Sequence, residues 1–233
     1  FWAVMPDHRV MAAVCDNPDS DRLMWSQPRY IGEDVMMCKP TVISDGSWLL
    51  PIAVWAENIC VLPQYKTQHS PKLAYAYRSR DNGVTFERLG GVDMPARCFD
   101  EHMIVERGDG SLAMYVRTFG GIGVSVSRDG GLNWDAGVDS GLGGPCSRFF
   151  IRRLNSGRLL LVNHKNFTGR NNLTAMLSDD DGLTWSDGLL LDGRNGVSYP
   201  DGSQDGDGYI YLTYDRDRTG EAEILMAVFN EDD

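Results

Sequence analysis

Apolar residues along this chain fall in short runs, and none keeps a 3.6-residue period for three turns. The clearest runs are WLLPIAVW from Trp48, LAMYVRT from Leu112, LLLVNH from Leu159 and YIYLTY from Tyr209. Each follows a tight, polar, Gly-bearing segment: SDGS, GDGS, NSGR and GDG. Such runs, rich in Val, Ile, Leu and Tyr and bounded by Gly, Asp, Asn and Pro, predict β-strands joined by turns, so the expected class is all-β. The turn glycines stand at 46, 110, 157 and 208, in steps of 64, 47 and 51 residues.

A second pattern keeps the same beat. SRDNGVTF starts at Ser79, SRDGGLNW at Ser127 and SDDDGLTW at Ser178, steps of 48 and 51 residues. A fixed period of this size marks a solenoid or a propeller. Each unit reads as a four-stranded antiparallel meander: inner strand, Gly turn, second strand, variable loop, third strand, octet turn, outer strand. That is one propeller blade. The blades fall at about 36–93, 97–140, 146–193 and 197–230 within a single domain spanning 1–233. Residues 1–31 supply two strands and a degenerate turn, CDNPDSDRLMWSQP, in which Trp25-Ser26 echoes Trp185-Ser186. About four and a half blades are thus expected to be part of a six-bladed propeller lacking one or two N-terminal blades; the alternative is a five-bladed ring closed by the N-terminal strands. The long first step is accounted for by an insertion from Glu57 to Lys72.

Within the octet, Asp81, Asp129 and Asp180 are placed to accept N–H groups of their own turns. Gly83, Gly131 and Gly182 can take positive φ, while Phe86, Trp134 and Trp185 can bury their rings between strands. Turns on separate blades do not converge, so the octet reads as a hairpin clasp and not as a cation or sugar site.

Composition narrows the function. Lys plus Arg number 22 against 33 Asp plus Glu, a net charge of −11, which argues against partners bound through phosphates, nucleic acid above all. An apolar run long enough to span a membrane is absent from the sequence, and the opening FWAVM gives no reading of export. The compartment stays open. Neither a cofactor motif nor a metal-ligand spacing is found. The five cysteines, Cys15, Cys38, Cys60, Cys98 and Cys146, are read as buried and reduced, with one disulfide or a metal site as the alternatives.

The octet resembles the Asp box, or bacterial neuraminidase repeat, of the sialidase superfamily, and the resemblance covers about residues 36–230. It implies a sialidase-type propeller on which secreted or periplasmic life is common. Loops entering the inner strands and leaving the second strands share one face of such a fold. The polar residues there are Lys39; Glu101 and His102 with Arg117; Arg148 with His164 and Arg170; and Ser198, Tyr199 and Asp201 with Tyr214 and Arg216. Sialidases hold a substrate carboxylate with three arginines and attack with a Tyr assisted by a Glu. The segment EHMIVERGDGSLAMYVRT resembles the family's Glu-strand-turn-strand-Arg unit, which matches Glu101 to the glutamate and Arg117 to the second arginine. TGRNNLTAMLSDDDGLTW matches Arg170 to the third arginine, and GVSYPDG matches Tyr199 to the nucleophile. An Arg fork suits a carboxylate. A phenol nucleophile avoids repulsion by that carboxylate but needs a base to take its proton.

The resemblance therefore implies a retaining exo-α-sialidase-type hydrolase acting on a carboxylated glycan, with Tyr199 and Glu101 catalytic and Arg117, Arg170, Arg148, His102 and His164 binding substrate. Two departures stand beside it. Ser198 precedes Tyr199 where the family has Tyr before Ser, which threatens to turn Tyr199 to the wrong face. The family's first arginine and acid/base Asp find no counterpart in residues 1–35. The rival readings are a polysaccharide lyase or uronate-directed enzyme using His102, His164 and Tyr199, and a non-catalytic glycan-binding propeller.

Overall fold

The computed structural model describes residues 2–4, 9–33, 35–54 and 71–233, and its regular elements are all β-strands. The first sheet holds β1 (Trp2–Val4), β2 (Arg9–Ala12) and β3 (Arg29–Glu33). The second holds β4 (Thr41–Val42), β5 (Trp48–Ala53), β6 (Ala74–Ser79) and β7 (Glu87–Val92). The third holds β8 (Arg97–Glu106), β9 (Leu112–Thr118), β10 (Gly121–Ser127) and β11 (Val138–Gly143). The fourth holds β12 (Phe150–Arg153), β13 (Leu159–His164), β14 (Leu173–Ser178) and β15 (Leu189–Asp192). The fifth holds β16 (Val197–Gln204), β17 (Ile210–Arg216) and β18 (Glu223–Phe229). Within every sheet, strands neighbouring in sequence pair antiparallel. These are the blades of a β-propeller.

The turn from first to second strand is built alike in successive blades. Asp45 Oδ1 accepts the Ser47 N–H and Asp109 Oδ1 the Ser111 N–H, and the intervening Gly46 and Gly110 take φ of 82° and 80°. A side chain there would be strained. The octets close the other hairpin. Ser79 Oγ accepts the Gly83 N–H at 2.7 Å and donates to Asp81 Oδ1 at 2.8 Å, while Asp81 also accepts from Thr85 N and Oγ1 at 2.8 and 2.6 Å. Ser127 with Asp129 and Ser178 with Asp180 repeat the arrangement. Hydrogen bonds from Thr85, Asn133 and Thr184 hold the three carboxyls down at about 2. Each Asp thus spends its oxygens on its own turn, and Phe86, Trp134 and Trp185 pack into three different hydrophobic clusters between blades.

The N-terminal sheet carries three strands where two were expected. Its degenerate turn lacks the Gly and the octet spacing: the Ser26 N–H donates to the Val14 carbonyl at 2.8 Å and Ser26 Oγ accepts the Val14 N–H at 3.0 Å. Ser186 does the same with Leu177, at 2.9 and 3.0 Å. This aligns β2 and β3 with the third and fourth strands of a blade. Most of the insertion, residues 57–70, and Cys60 lie outside the described residues.

The expectation of reduced cysteines is overturned at one pair. Cys98 and Cys146, 48 residues apart, form a disulfide, while Cys15 and Cys38 are free. The separation equals one blade step, so the bond joins the entrances of adjacent inner strands, a proximity that linear spacing hides.

Candidate functional site

The second strands run six or seven residues, and the seventh residue after the turn glycines Gly110, Gly157 and Gly208 reaches the same place in successive blades. That residue is Arg117 in β9, His164 in β13 and Asp215 in β17. The inner strands meet these ends with Glu101, Arg148 and the pair Ser198-Tyr199: His102 pairs Val116, Phe150 pairs Val162, and Ser198 pairs Asp215. Three successive blades therefore deliver polar side chains to one face near the axis.

Tyr199 gets there through a bulge. β16 advances three residues from Ser198 to Asp201 while β17 retreats two, from Asp215 to Thr213. Tyr199 takes up the extra residue at φ 56°, a conformation an aromatic residue rarely adopts. The bulge answers the problem of its place after Ser198, because it turns the ring among three guanidinium groups. Arg218, Arg148 and Arg170 lie 4.0, 5.4 and 5.7 Å from the ring centroid.

Glu101 and Arg117 are almost fully buried and joined by a 2.5 Å bond from Nη1 to Oε2. The same Nη1 stands 3.4 Å from the Tyr199 hydroxyl, and Nη2 donates to the Cys146 carbonyl at 2.8 Å. Arg170 Nη2 reaches that carbonyl at 3.1 Å and its Nη1 the Ser198 hydroxyl at 3.5 Å. Arg148 binds the Met37 and Pro200 carbonyls and Asp201 Oδ2, at 3.0, 3.3 and 3.2 Å. Lys39 pairs with Asp201 at 2.7 Å, so the segment leading into β4 is linked to β16.

The two histidines part company. His164 is 2% exposed, and its Nδ1 meets the Asn171 carbonyl at 2.8 Å, which makes Nδ1 the protonated nitrogen. Burial, helped by nearby Arg170, pushes its pKa below the ordinary value despite that bond, so it is neutral at pH 7. His102 instead bonds the Tyr75 carbonyl of the preceding blade at 2.9 Å and acts as a spacer between sheets. Cys38 is buried beside Arg148 and Glu101, and burial pushes its thiol up to about 12, which leaves it protonated and inert.

Two residues escaped the sequence reading. Asp215 lies between Tyr214 and Arg216, and neighbours on a strand face opposite ways. Tyr214 accordingly turns to Asp192, 3.2 Å away, and Arg216 to Glu221 and Glu223, while Asp215 accepts from Ser198 Oγ at 2.6 Å and from Arg218 Nε at 2.7 Å. Counting seven residues from each turn glycine would have selected Asp215. Arg218 sits on the loop beyond, where no period operates.

A profile of the BNR repeat-like domain matches residues 15–212, and the chain belongs to that family. No curated protein sequence matches it. Among solved structures it is similar to Hadza microbial sialidase Hz136, with a TM-score of 0.72 and 20% identity over 96% of this chain and 44% of that one. The intramolecular trans-sialidase from Ruminococcus gnavus superposes with a TM-score of 0.63 at 20% identity, over 96% and 50%. A protein of unknown function from Dyadobacter fermentans gives 0.69 at 18%, over 95% and 63%. At these identities the likeness shows the fold alone, and the chain spans between 44% and 63% of the length of these three structures.

Proposed function

We propose that this BNR repeat-like propeller is a retaining, exo-α-sialidase-type glycoside hydrolase acting on a carboxylated, sialic-acid-like sugar. The observation that carries the reading is Tyr199, held in a left-handed conformation by a bulge and surrounded by three guanidinium groups. The sialidases among the structural neighbours favour the same chemistry. Tyr199 Oη attacks the anomeric carbon and forms the glycosyl–tyrosine bond as the leaving group departs; water then releases the sugar with retention. Glu101, which shares Arg117 Nη1 with the Tyr199 hydroxyl, accepts the phenol proton directly or through one water and not through the guanidinium. Arg117 cannot itself give up a proton, but it donates towards both oxygens, so negative charge on the phenol oxygen has a partner during attack. Arg170, unpaired with any carboxylate among the described residues, faces the sugar carboxylate, with Arg148 against the same Tyr199 ring.

A uronate lyase keeps one observation in its favour: neutral His164, protonated on Nδ1, leaves Nε2 as a basic nitrogen. A single assay panel separates the readings. The whole protein is purified and incubated with α-linked sialosides and with uronate polymers, and free sialic acid and ultraviolet-absorbing unsaturated ends are measured. Sialic acid release alone is expected. Unsaturated ends would establish the lyase, and saturable glycan binding without turnover would establish a lectin-like propeller.

A further inference from the structure

We infer that the Cys98–Cys146 disulfide is a positioning element of the candidate site, so that Arg117 and Arg170 are set for an anionic ligand only in oxidised protein. The inference rests on the anionic-sugar reading for its ligand, though not for its geometry.

Both ends of the bond bear on Arg117. On the Cys146 side, the carbonyl accepts from Arg117 Nη2 at 2.8 Å and the sulfur lies 3.3 Å from the same nitrogen. On the Cys98 side, the next residue, Phe99, lays its ring 4.9 Å from the Arg117 guanidinium carbon. The Cys146 carbonyl also accepts from Arg170 Nη2 at 3.1 Å. One peptide oxygen thus fixes the forks of two arginines that come from different blades.

Little else holds that peptide oxygen in place. Cys146 lies in the irregular segment between β11 and β12, outside any ladder. Cys98 lies where β8 loses register with β9: β8 advances five positions from Arg97 to His102 while β9 retreats two, from Thr118 to Val116. Ala96 and Phe99 on either side of it both take φ of 55°. The covalent bond therefore ties two irregular stretches together at the point where the arginines are anchored. Cys98 is 1% exposed and Cys146 half-buried, so the sulfur open to an attacking thiolate is that of Cys146. Reduction by a dithiol breaks the S–S bond, adds two electrons and two protons to give two cysteine thiols, and leaves the reductant as its cyclic disulfide.

The test compares oxidised protein, dithiothreitol-reduced protein and the double variant Cys98→Ser/Cys146→Ser. Arginine side-chain NMR reports the position of Arg117 and Arg170 without any ligand, circular dichroism reports the fold, and calorimetric titration with N-acetylneuraminate and glucuronate reports binding. Oxidised protein is expected to show slowly rotating Arg117 and Arg170 guanidinium groups. Both other forms should lose them with the far-ultraviolet spectrum unchanged, and should bind carboxylated sugar about tenfold more weakly, the size of one charge-assisted contact. Cys15→Ser serves as the control and should change neither readout. Unchanged guanidinium signals after reduction, or affinity within twofold of the oxidised protein, overturn the inference while leaving the anionic-sugar reading intact. Restricted guanidinium signals that respond to reduction, with no carboxylated sugar bound by any form, instead overturn that reading and keep the positioning role.

Discussion

At the residue scale the account turns on a few side chains whose surroundings differ from what their sequence positions suggest. Arg117 and Glu101, matched by resemblance to a carboxylate binder and a catalytic helper, are both buried and bonded to each other. A buried ion pair tolerates loss of both charges better than loss of one. Arg117→Met is therefore expected to destabilise the fold by about 3–5 kcal/mol in urea unfolding, while the double variant Glu101→Leu/Arg117→Met recovers most of that loss. Equal stability of the single and double variants would show that the pair is not isolated in the way described. Tyr199 was legible as a nucleophile candidate, but the bulge that aims it was not, because it arises from a mismatch between two strands. Arg218 was invisible for a related reason: a loop residue is placed by tertiary contacts, here with Asp215, Ser198 and the Tyr199 ring.

At the element scale the octets were read correctly as hairpin clasps, since the side chains of the first Ser and the repeated Asp bond within their own turn and can be inferred from local spacing. Ser127 is 1% exposed and accepts the Gly131 N–H, so Ser127→Ala leaves a buried donor unmatched. A loss of about 1–3 kcal/mol is expected in denaturant unfolding. The same turns set the acid limb of stability. Asp81, Asp129 and Asp180 have folded-state pKa values lowered to about 2 from 3.8, so their stabilising effect is complete above the unfolded value and disappears as pH falls through the folded one. The melting temperature should be steady near neutrality and fall between about pH 4 and pH 2. Asp129→Asn should flatten part of that fall; an unchanged acid limb in this variant would remove the octets from the explanation. The degenerate first turn shows the limit of motif reading. Ser26 keeps the two bonds to Val14 that close the hairpin, and the Ser-x-Asp-x-Gly spacing that would have announced it is missing.

At the scale of the whole molecule, a fifty-residue beat was enough to give blades, because each blade is a local meander whose contacts lie close in sequence. The shared face was legible from the blade register, but the particular bonds between blades that build the site were not: the Cys98–Cys146 bond, the Lys39–Asp201 link and the approach of Arg117 to Tyr199. The fifth sheet presents Ile224, Met226 and Val228 on one exposed face of β18, at 84%, 61% and 50% exposure. A face of that kind favours association. Light scattering should find this chain self-associating, and Ile224→Lys/Val228→Lys should shift it towards monomer; a wild-type chain that stays monomeric at high concentration would show that the face is inert. We propose that in the whole protein further blades cover this face and complete a six-bladed ring, bringing a leaving-group acid and another arginine to the site. The central claim is that Tyr199 forms a covalent bond to the sugar, and intact-mass measurement after incubation with a fluorinated, activated sialoside tests it most directly. The account predicts a single glycosyl adduct on the wild-type protein, mapped to Tyr199 and absent from Tyr199→Phe; an adduct that persists in that variant, or turnover of sialosides with no adduct on Tyr199, would contradict it.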